Sequence, residues 1–205
     1  NIAEEIASLG HNVVIVGGKT QTDNCSTPNL ADEIMRHVQP ERVILGPGPS
    51  VPESYPLTME FARRSIRGEL VVDRSHVPLL GLCLGHQALG IADGWELIES
   101  PMGAVHGTPS LIKNDGTGVF EGLPSEITMM RYNSLVLEPK KGSLVPNSWD
   151  ATGELVMGLR HCHLPIDGVQ FHPEAVGSPR GRDLLDKFLR KRPLAFSDQL
   201  SRQAE

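Results

Sequence analysis

The chain has 205 residues, of which 39% are hydrophobic and 21% charged, and its formal net charge is −6 at pH 7. This length suits one domain with a substantial core, and the composition is that of an ordinary globular protein. The negative charge and the lack of a basic stripe argue against a nucleic-acid-binding protein, and no apolar run is long enough to span a membrane.

The N-terminus lacks the basic and apolar pattern of a signal peptide. The cysteines (Cys25, Cys83 and Cys162) are too few and too widely spaced for a disulfide framework. We therefore expect a cytoplasmic protein, in a compartment where a working thiol stays reduced.

Secondary structure is predicted from apolar spacing and from Gly and Pro signals. Helices are predicted over residues 1–10, 31–38, 57–67, 86–92 and 181–190. Strands are predicted over residues 13–16, 43–45, 77–80, 155–159 and 166–171, with short strands and turns between residues 104 and 137. Strands that alternate with helices, followed by a β-rich segment, indicate an α/β sandwich on a mainly parallel sheet. We expect one domain over residues 1–192 and a polar tail over residues 193–205.

The most informative segment, residues 81–87, reads Gly-Leu-Cys-Leu-Gly-His-Gln after an apolar run. A strand, a tight turn and a helix would make a nucleophile elbow, with Cys83 at the turn and room left by Gly81 and Gly85. A helix N-terminus also favours a thiolate. A cysteine in a buried turn is more often a small core residue, but the flanking glycines favour a nucleophile that forms a thioester.

A partner for this thiol is predicted at residues 168–174, Gly-Val-Gln-Phe-His-Pro-Glu. The proline imposes extended geometry, so His172 and Glu174 can lie on one side of the backbone. The imidazole would accept the thiol proton and the carboxylate would orient the imidazole, which completes a catalytic triad. His86 is an alternative base, but its position in the first turn of the elbow helix favours packing.

An oxyanion site is predicted in the loop 46–50, Gly-Pro-Gly-Pro-Ser, which directly follows the strand 43–45. The backbone N–H of Gly48, paired with that of Leu84, would stabilise a tetrahedral intermediate. The loop alone could equally be turn chemistry. The run His161-Cys162-His163 suggests a metal site, but strand alternation separates its side chains and no second ligand pair is evident, so we expect no metal there.

Together with Arg-Tyr-Asn-Ser-Leu at residues 131–135, these motifs resemble those of the class I (triad-type) glutamine amidotransferases. Within that family the chain is most similar to the glutaminase components of anthranilate synthase and of aminodeoxychorismate synthase. The resemblance implies a three-layer fold on a flavodoxin-like sheet with a small additional β segment. The opening strand and Asp-rich turn usual in the family are not in this sequence, so we expect that strand to be missing through truncation or disorder.

The resemblance implies hydrolysis of L-glutamine to glutamate and ammonia, with no cofactor. Cys83 would attack the amide, His172 would act as base and then acid, and Glu174 would orient it. The residues that would hold glutamine are Gly48, Pro49, Ser50, Gln87, Ser134 and Leu135. The ammonia would pass to a chorismate-binding synthase subunit or fused domain, which makes anthranilate or aminodeoxychorismate.

Two residues depart from the family pattern, since Ser50 stands where Gly is usual and Asn133 where His is usual. Neither is a triad residue, so the resemblance implies an altered level of activity rather than loss of activity. Two other functions stay open at this point: a non-catalytic regulatory module of such a synthase, and a stand-alone γ-glutamyl hydrolase.

Overall fold

The computed structural model describes residues 1–18 and 26–198. The helices are α1 (Ile2–Ser8), α2 (Thr27–Val38), α3 (Pro56–Ile66), α4 (Leu84–Ala92) and α5 (Gly181–Leu189), with short 3₁₀ turns at Pro52–Ser54 and Gly118–Phe120. The strands are β1 (Val43–Leu45), β2 (Val71–Val72), β3 (Ser75–His76), β4 (Leu79–Leu82), β5 (Glu96–Glu99), β6 (Val105–Asn114), β7 (Glu126–Asn133), β8 (Leu135–Glu138), β9 (Leu144–Asp150), β10 (Val156–His161), β11 (Ile166–Val169) and β12 (Leu194–Ala195). None of the described helices combines the length and apolarity needed to cross a bilayer.

A seven-stranded sheet in the order β1-β4-β11-β10-β9-β6-β7 organises the fold. Strands β1, β4 and β11 run parallel, and the four strands beyond β11 pair antiparallel. The expected α/β class and parallel core are confirmed. Two smaller sheets, β12-β3-β2 and β5-β8, supply the additional β structure.

Helices cover both faces of the sheet, which makes three layers. Strand β4 is buried along its whole length, and its side chains alternate between the two faces. Leu79 joins the apolar cluster under α2, α3 and α4, whereas Leu80 and Leu82 join the cluster under α1 and α5. A fully apolar strand of this kind is typical of the centre of an α/β sheet. The site described below lies at its carboxyl end.

The apolar run at residues 13–16 is not a strand, contrary to the sequence prediction. Val14 is 65% exposed and Ile15 is 78% exposed, and no described strand pairs with them. An apolar run predicts a buried strand only where a neighbouring strand supplies backbone partners, and the described residues supply none there. Between residues 104 and 137 the strands are longer than expected, because β6 and β7 pair along almost their full length.

The segment after residue 192 begins as part of the folded unit. Strand β12 pairs antiparallel with β3, and the side chain of Leu194 is buried. The ring of Phe196 lies 4.9 Å from that of His76, centroid to centroid. The rest of the expected polar tail, residues 199–205, lies outside the described residues, as does Cys25.

A buried carboxylate ties the chain after α5 to strand β11. Asp167 is completely buried, accepts the backbone N–H of Val119 at 3.1 Å and pairs with the ammonium of Lys191. Burial raises the pKa of the Asp167 carboxyl, and the interaction with Lys191 opposes that rise. Strand β11, which leads to His172, is therefore anchored by contacts outside the sheet as well as by its strand neighbours.

Candidate active site

The predicted elbow is present between β4 and α4. Cys83 has φ 51° and ψ −101°, a conformation that L residues rarely adopt. A Cβ on Gly81 would lie 2.6 Å from the backbone carbonyl of Gly85, and a Cβ on Gly85 would lie 2.2 Å from the carbonyl oxygen of Leu45. Helix α4 therefore approaches both β4 and β1 more closely than any side chain would permit.

The structure brings the elbow next to the end of β11. The backbone N–H of Cys83 donates to the carbonyl of Val169 at 2.9 Å, and the Cys83 side chain is buried. Three residues on, the backbone N–H of His172 donates to the carbonyl of Met130 of β7 at 2.9 Å. His172 is thus held by a strand from the far edge of the sheet rather than by a free loop.

His172 and Glu174 form the expected pair. Nδ1 of His172 lies 2.8 Å from Oε1 of Glu174, with the two side chains 14% and 8% exposed. The turn that carries them is fixed by Ser178, whose hydroxyl donates to the carbonyl of His172 at 2.6 Å and accepts the N–H of Met130 at 2.9 Å. The carboxylate therefore sets the tautomer of the imidazole and leaves Nε2 for Cys83.

The environment of His172 favours the imidazolium. Burial opposes the charged form, but interactions with Cys83 and Glu174 outweigh burial and raise the pKa of His172 to about 9. Nε2 makes no hydrogen bond of ordinary geometry with any described residue. Cys83 and Glu174 therefore favour the protonated imidazole over the neutral one.

This shift predicts that the free energy of unfolding depends on pH. Because the folded protein raises the pKa of His172 from 6.5 to about 9, the extra stability is complete below pH 6.5 and is lost as pH rises through 9. The loss is up to about 3 kcal/mol. Urea unfolding at pH 6.5 and pH 9.5 measures it, and Glu174→Gln should shrink the difference. A stability that is flat or rising over this range would contradict the assignment.

His86 cannot serve as the base. It is completely buried under the elbow, and burial lowers its pKa to about 3. A Cβ on Gly168 of β11 would lie 3.1 Å from Nδ1 of His86, so the ring packs against that strand. His86 therefore has a packing role, against strand β11 rather than against the loop that the sequence suggested.

The loop 46–50 lies against the start of α4. A Cβ on Gly48 would lie 3.3 Å from the Leu84 side chain and 3.0 Å from the ring and hydroxyl of Tyr55. Tyr55 in turn donates its hydroxyl to the carbonyl of Pro49 at 2.9 Å. Gly48 and Leu84 are therefore neighbours, as an oxyanion site built from their two N–H groups requires.

Ser50 adopts a left-handed backbone conformation with φ 72°. A non-glycine residue there costs about 1 kcal/mol relative to Gly, although the greater freedom of glycine in the unfolded chain offsets part of the difference. We expect Ser50→Gly to raise the free energy of unfolding by about 0.5–1 kcal/mol, measured by urea unfolding. Ser54→Ala is the control, because it removes only the hydroxyl that lies 3.4 Å from that of Ser50. A destabilised Ser50→Gly protein would show that the serine side chain outweighs the backbone conformation.

The other expected glutamine contacts meet at a different strand end. The side-chain N–H₂ of Gln87 donates to the carbonyl of Leu135 at 3.3 Å and to Oε1 of Gln170 at 3.1 Å. Asn133 also donates to the carbonyl of Leu135, at 3.1 Å, and accepts from Arg131 at 3.2 Å. The carbonyl of Ser134 accepts the N–H of Ser100 at 2.9 Å. Asn133 thus helps to hold this segment in place.

Two neighbours of Cys83 and His172 were not predicted from the sequence. The ring of Tyr132 meets His172 edge-on with centroids 5.0 Å apart, and Gln170 donates to Sγ of Cys83 at 3.6 Å. Strand alternation could have found Gln170, since it lies two residues before His172 and so on the same face. Nothing local to Tyr132 signals its contact, which depends on the crossing from β7 to the end of β11.

The described residues contain no candidate metal site. Cys83 and Cys162 are free, and no group of three or more His, Cys, Asp or Glu side chains is placed to hold a metal ion in residues 1–18 and 26–198. Nδ1 of His161 instead accepts the backbone N–H groups of His163 and Leu164. These residues shape a turn.

Comparison with known proteins agrees with this geometry. Residues 1–192 match the family described as "Glutamine amidotransferase class-I". Anthranilate synthase component 2 of Thermus thermophilus is 40% identical over 77% of this chain and 74% of its own length. Aminodeoxychorismate synthase component 2 of Serratia marcescens is 38% identical over 93% of each chain. A solved structure described as a GMP synthase protein from Thermoplasma acidophilum superimposes with a TM-score of 0.72 over 99% of this chain and 88% of that one, at 19% identity, which supports the fold alone.

Proposed function

Since the chain belongs to the class I glutamine amidotransferases, we propose that it is the glutaminase component of a chorismate-using synthase. In this proposal it hydrolyses L-glutamine to glutamate and ammonia and delivers the ammonia to a synthase subunit that makes anthranilate or aminodeoxychorismate. The names of the relatives from Thermus thermophilus and Serratia marcescens support this pair of products.

One observation carries the catalytic part of the proposal. A strained cysteine at the N-terminus of α4 lies beside a histidine whose other ring nitrogen is 2.8 Å from a buried carboxylate. Nucleophile, base and orienting group are the parts that acyl transfer from an amide needs. A core cysteine would need neither a left-handed backbone nor an imidazolium partner.

The chemistry follows from the positions of these groups. The Cys83 thiolate adds to the side-chain amide carbon of glutamine, and the carbonyl oxygen becomes an oxyanion that the N–H groups of Gly48 and Leu84 stabilise. Collapse of this intermediate breaks the C–N bond, while His172 gives its proton to the departing ammonia. A water molecule, deprotonated by His172, then hydrolyses the thioester and releases glutamate. Glu174 keeps the imidazole oriented through both steps.

Glutamine would be held at both ends of this site. On one side, the loop after β1 would contact glutamine through Gly48, Pro49 and Ser50. On the opposite side, the contacts would come from Gln87, Ser134 and Leu135. The support for this assignment is that Gln87 and Leu135 are hydrogen-bonded to each other and lead to Cys83 through Gln170.

The test is ammonia release from L-glutamine by the purified chain, measured alone and in the presence of a chorismate-binding synthase subunit. We expect release to rise sharply with the partner, and product analysis to identify anthranilate or aminodeoxychorismate. Equal release with and without a partner would instead identify a stand-alone hydrolase. No release in either case, with Cys83 unmodified by a glutamine-like affinity label, would identify a regulatory module.

A further inference from the structure

A chain of buried amides connects the glutamine-facing side of the site to the nucleophile. It runs from the backbone carbonyl of Leu135 through the side chains of Gln87 and Gln170 to Sγ of Cys83, with successive distances of 3.3, 3.1 and 3.6 Å. Gln87 is 4% exposed and Gln170 is 0% exposed. Burying a polar amide costs free energy unless its groups are hydrogen-bonded, and here each amide has partners. The arrangement therefore suggests a function.

The orientation of both amides follows from the fixed end of the chain. A backbone carbonyl only accepts, so Gln87 must point its N–H₂ group at Leu135. The second N–H of that group then donates to Gln170, whose oxygen must face Gln87. The N–H₂ group of Gln170 is therefore left facing Cys83, and it cannot turn over without losing the hydrogen bond from Gln87.

We propose that Gln170 is a dedicated hydrogen-bond donor to the Cys83 thiolate, and that Gln87 holds it in the donating orientation. Hydrogen bonds to a charged acceptor are stronger than neutral ones, and a low-dielectric site strengthens them further. Gln170 thus stabilises the thiolate by a hydrogen bond, while His172 supplies the counter-charge. Because Gln170 is fully buried, it acts on the nucleophile without touching glutamine.

This inference rests on the proposed function for its catalytic meaning, but its test does not need glutamine. Gln170→Met keeps the volume of the side chain and removes the donor. Alkylation by iodoacetamide is followed against pH by mass spectrometry of the peptides that contain Cys83 and Cys162, with exposed Cys162 as the reference in the same molecule. We expect the pH profile of Cys83 alkylation to move about one unit upward, so that alkylation slows by up to about tenfold at pH values below the midpoint of the profile, while Cys162 keeps its profile.

A second variant guards against misfolding and tests the orientation argument. Gln87→Met leaves Gln170 in place but frees the Gln170 amide to turn over. We therefore expect the pH profile of Cys83 to move upward here too, with alkylation of Cys83 about threefold slower than in the parent. Circular dichroism shows whether each variant is folded. If Gln170→Met does not fold, the Cys83 profile of Gln87→Met tests the proposal alone. Cys83 profiles identical to the parent in the folded variants would overturn the proposal.

Activity provides a separate measurement. In Gln170→Met, kcat for glutamine hydrolysis should fall about tenfold with KM within about twofold, since a fully buried side chain contributes to the nucleophile rather than to binding. If the parent does not hydrolyse glutamine at all, the proposed function fails, but the alkylation result still decides whether Gln170 stabilises the thiolate.

Discussion

Cys83→Ala is expected to reduce glutamine-dependent ammonia release by at least about a thousandfold, with the synthase partner present for both proteins. The reason is that no other thiol of the described residues lies near His172, so the covalent route is lost and only binding and oxyanion stabilisation remain. The structure should tolerate the change, since alanine removes one buried sulfur and leaves the backbone of the elbow unaltered. Ammonia release measured at saturating glutamine, together with thermal unfolding, checks both parts.

Cys162→Ala is the matched control for the thiol, because Cys162 is exposed and remote from the site. It should keep the activity of the parent and its labelling by a glutamine-like affinity reagent, whereas Cys83→Ala should lose both. A Cys83→Ala protein that released ammonia as fast as the parent would exclude the thioester mechanism.

Gly181→Ala is expected to lower activity by about a hundredfold and stability by about 2–3 kcal/mol. Gly181 begins α5, and a Cβ there would lie 1.7 Å from the carbonyl oxygen of Pro173 and 2.6 Å from its carbonyl carbon. Pro173 stands between His172 and Glu174, so relieving this clash must move the pair. A displacement of about 1 Å at a catalytic group is enough for a loss of this size.

Helix propensity alone predicts the opposite sign for this substitution. Alanine is favoured over glycine in a helix by about 1 kcal/mol, so a stabilised protein would be expected from the sequence of α5. Lys187→Ala, at a solvent-accessible position of the same helix, is the control and should change stability by less than about 0.5 kcal/mol. If Gly181→Ala were as stable and as active as the parent, the close packing of α5 on Pro173 would be wrong.

The sequence was most informative where one chemical requirement fixes one residue type. Gly81 and Gly85 indicated the elbow because no side chain fits between β4, α4 and β1. The order of Cys83, His172 and Glu174 indicated a triad, and the structure places the latter two 2.8 Å apart. Ser50 was noted as a departure, and its backbone does adopt the conformation that glycine would hold more easily.

The sequence was least informative where contacts join distant segments. Val14 and Ile15 predict a strand by their apolarity, yet pairing depends on a neighbouring strand that sequence periodicity does not specify. The clash at Gly181 depends on how α5 crosses the turn that carries Pro173. The role of Gln170 required knowing which carbonyl lay at the other end of its hydrogen-bond chain.

The ion pair between Asp167 and Lys191 limits where this domain can be cut or joined to another. A chain severed before Lys191 would take away the ammonium that pairs with the buried carboxylate of Asp167, and breaking a buried ion pair destabilises a protein by several kcal/mol. The strand so weakened is the one that leads to His172. A cut or a fusion junction between α5 and Lys191 is therefore expected to weaken the strand that leads to the proposed catalytic residues, although those residues end at Glu174.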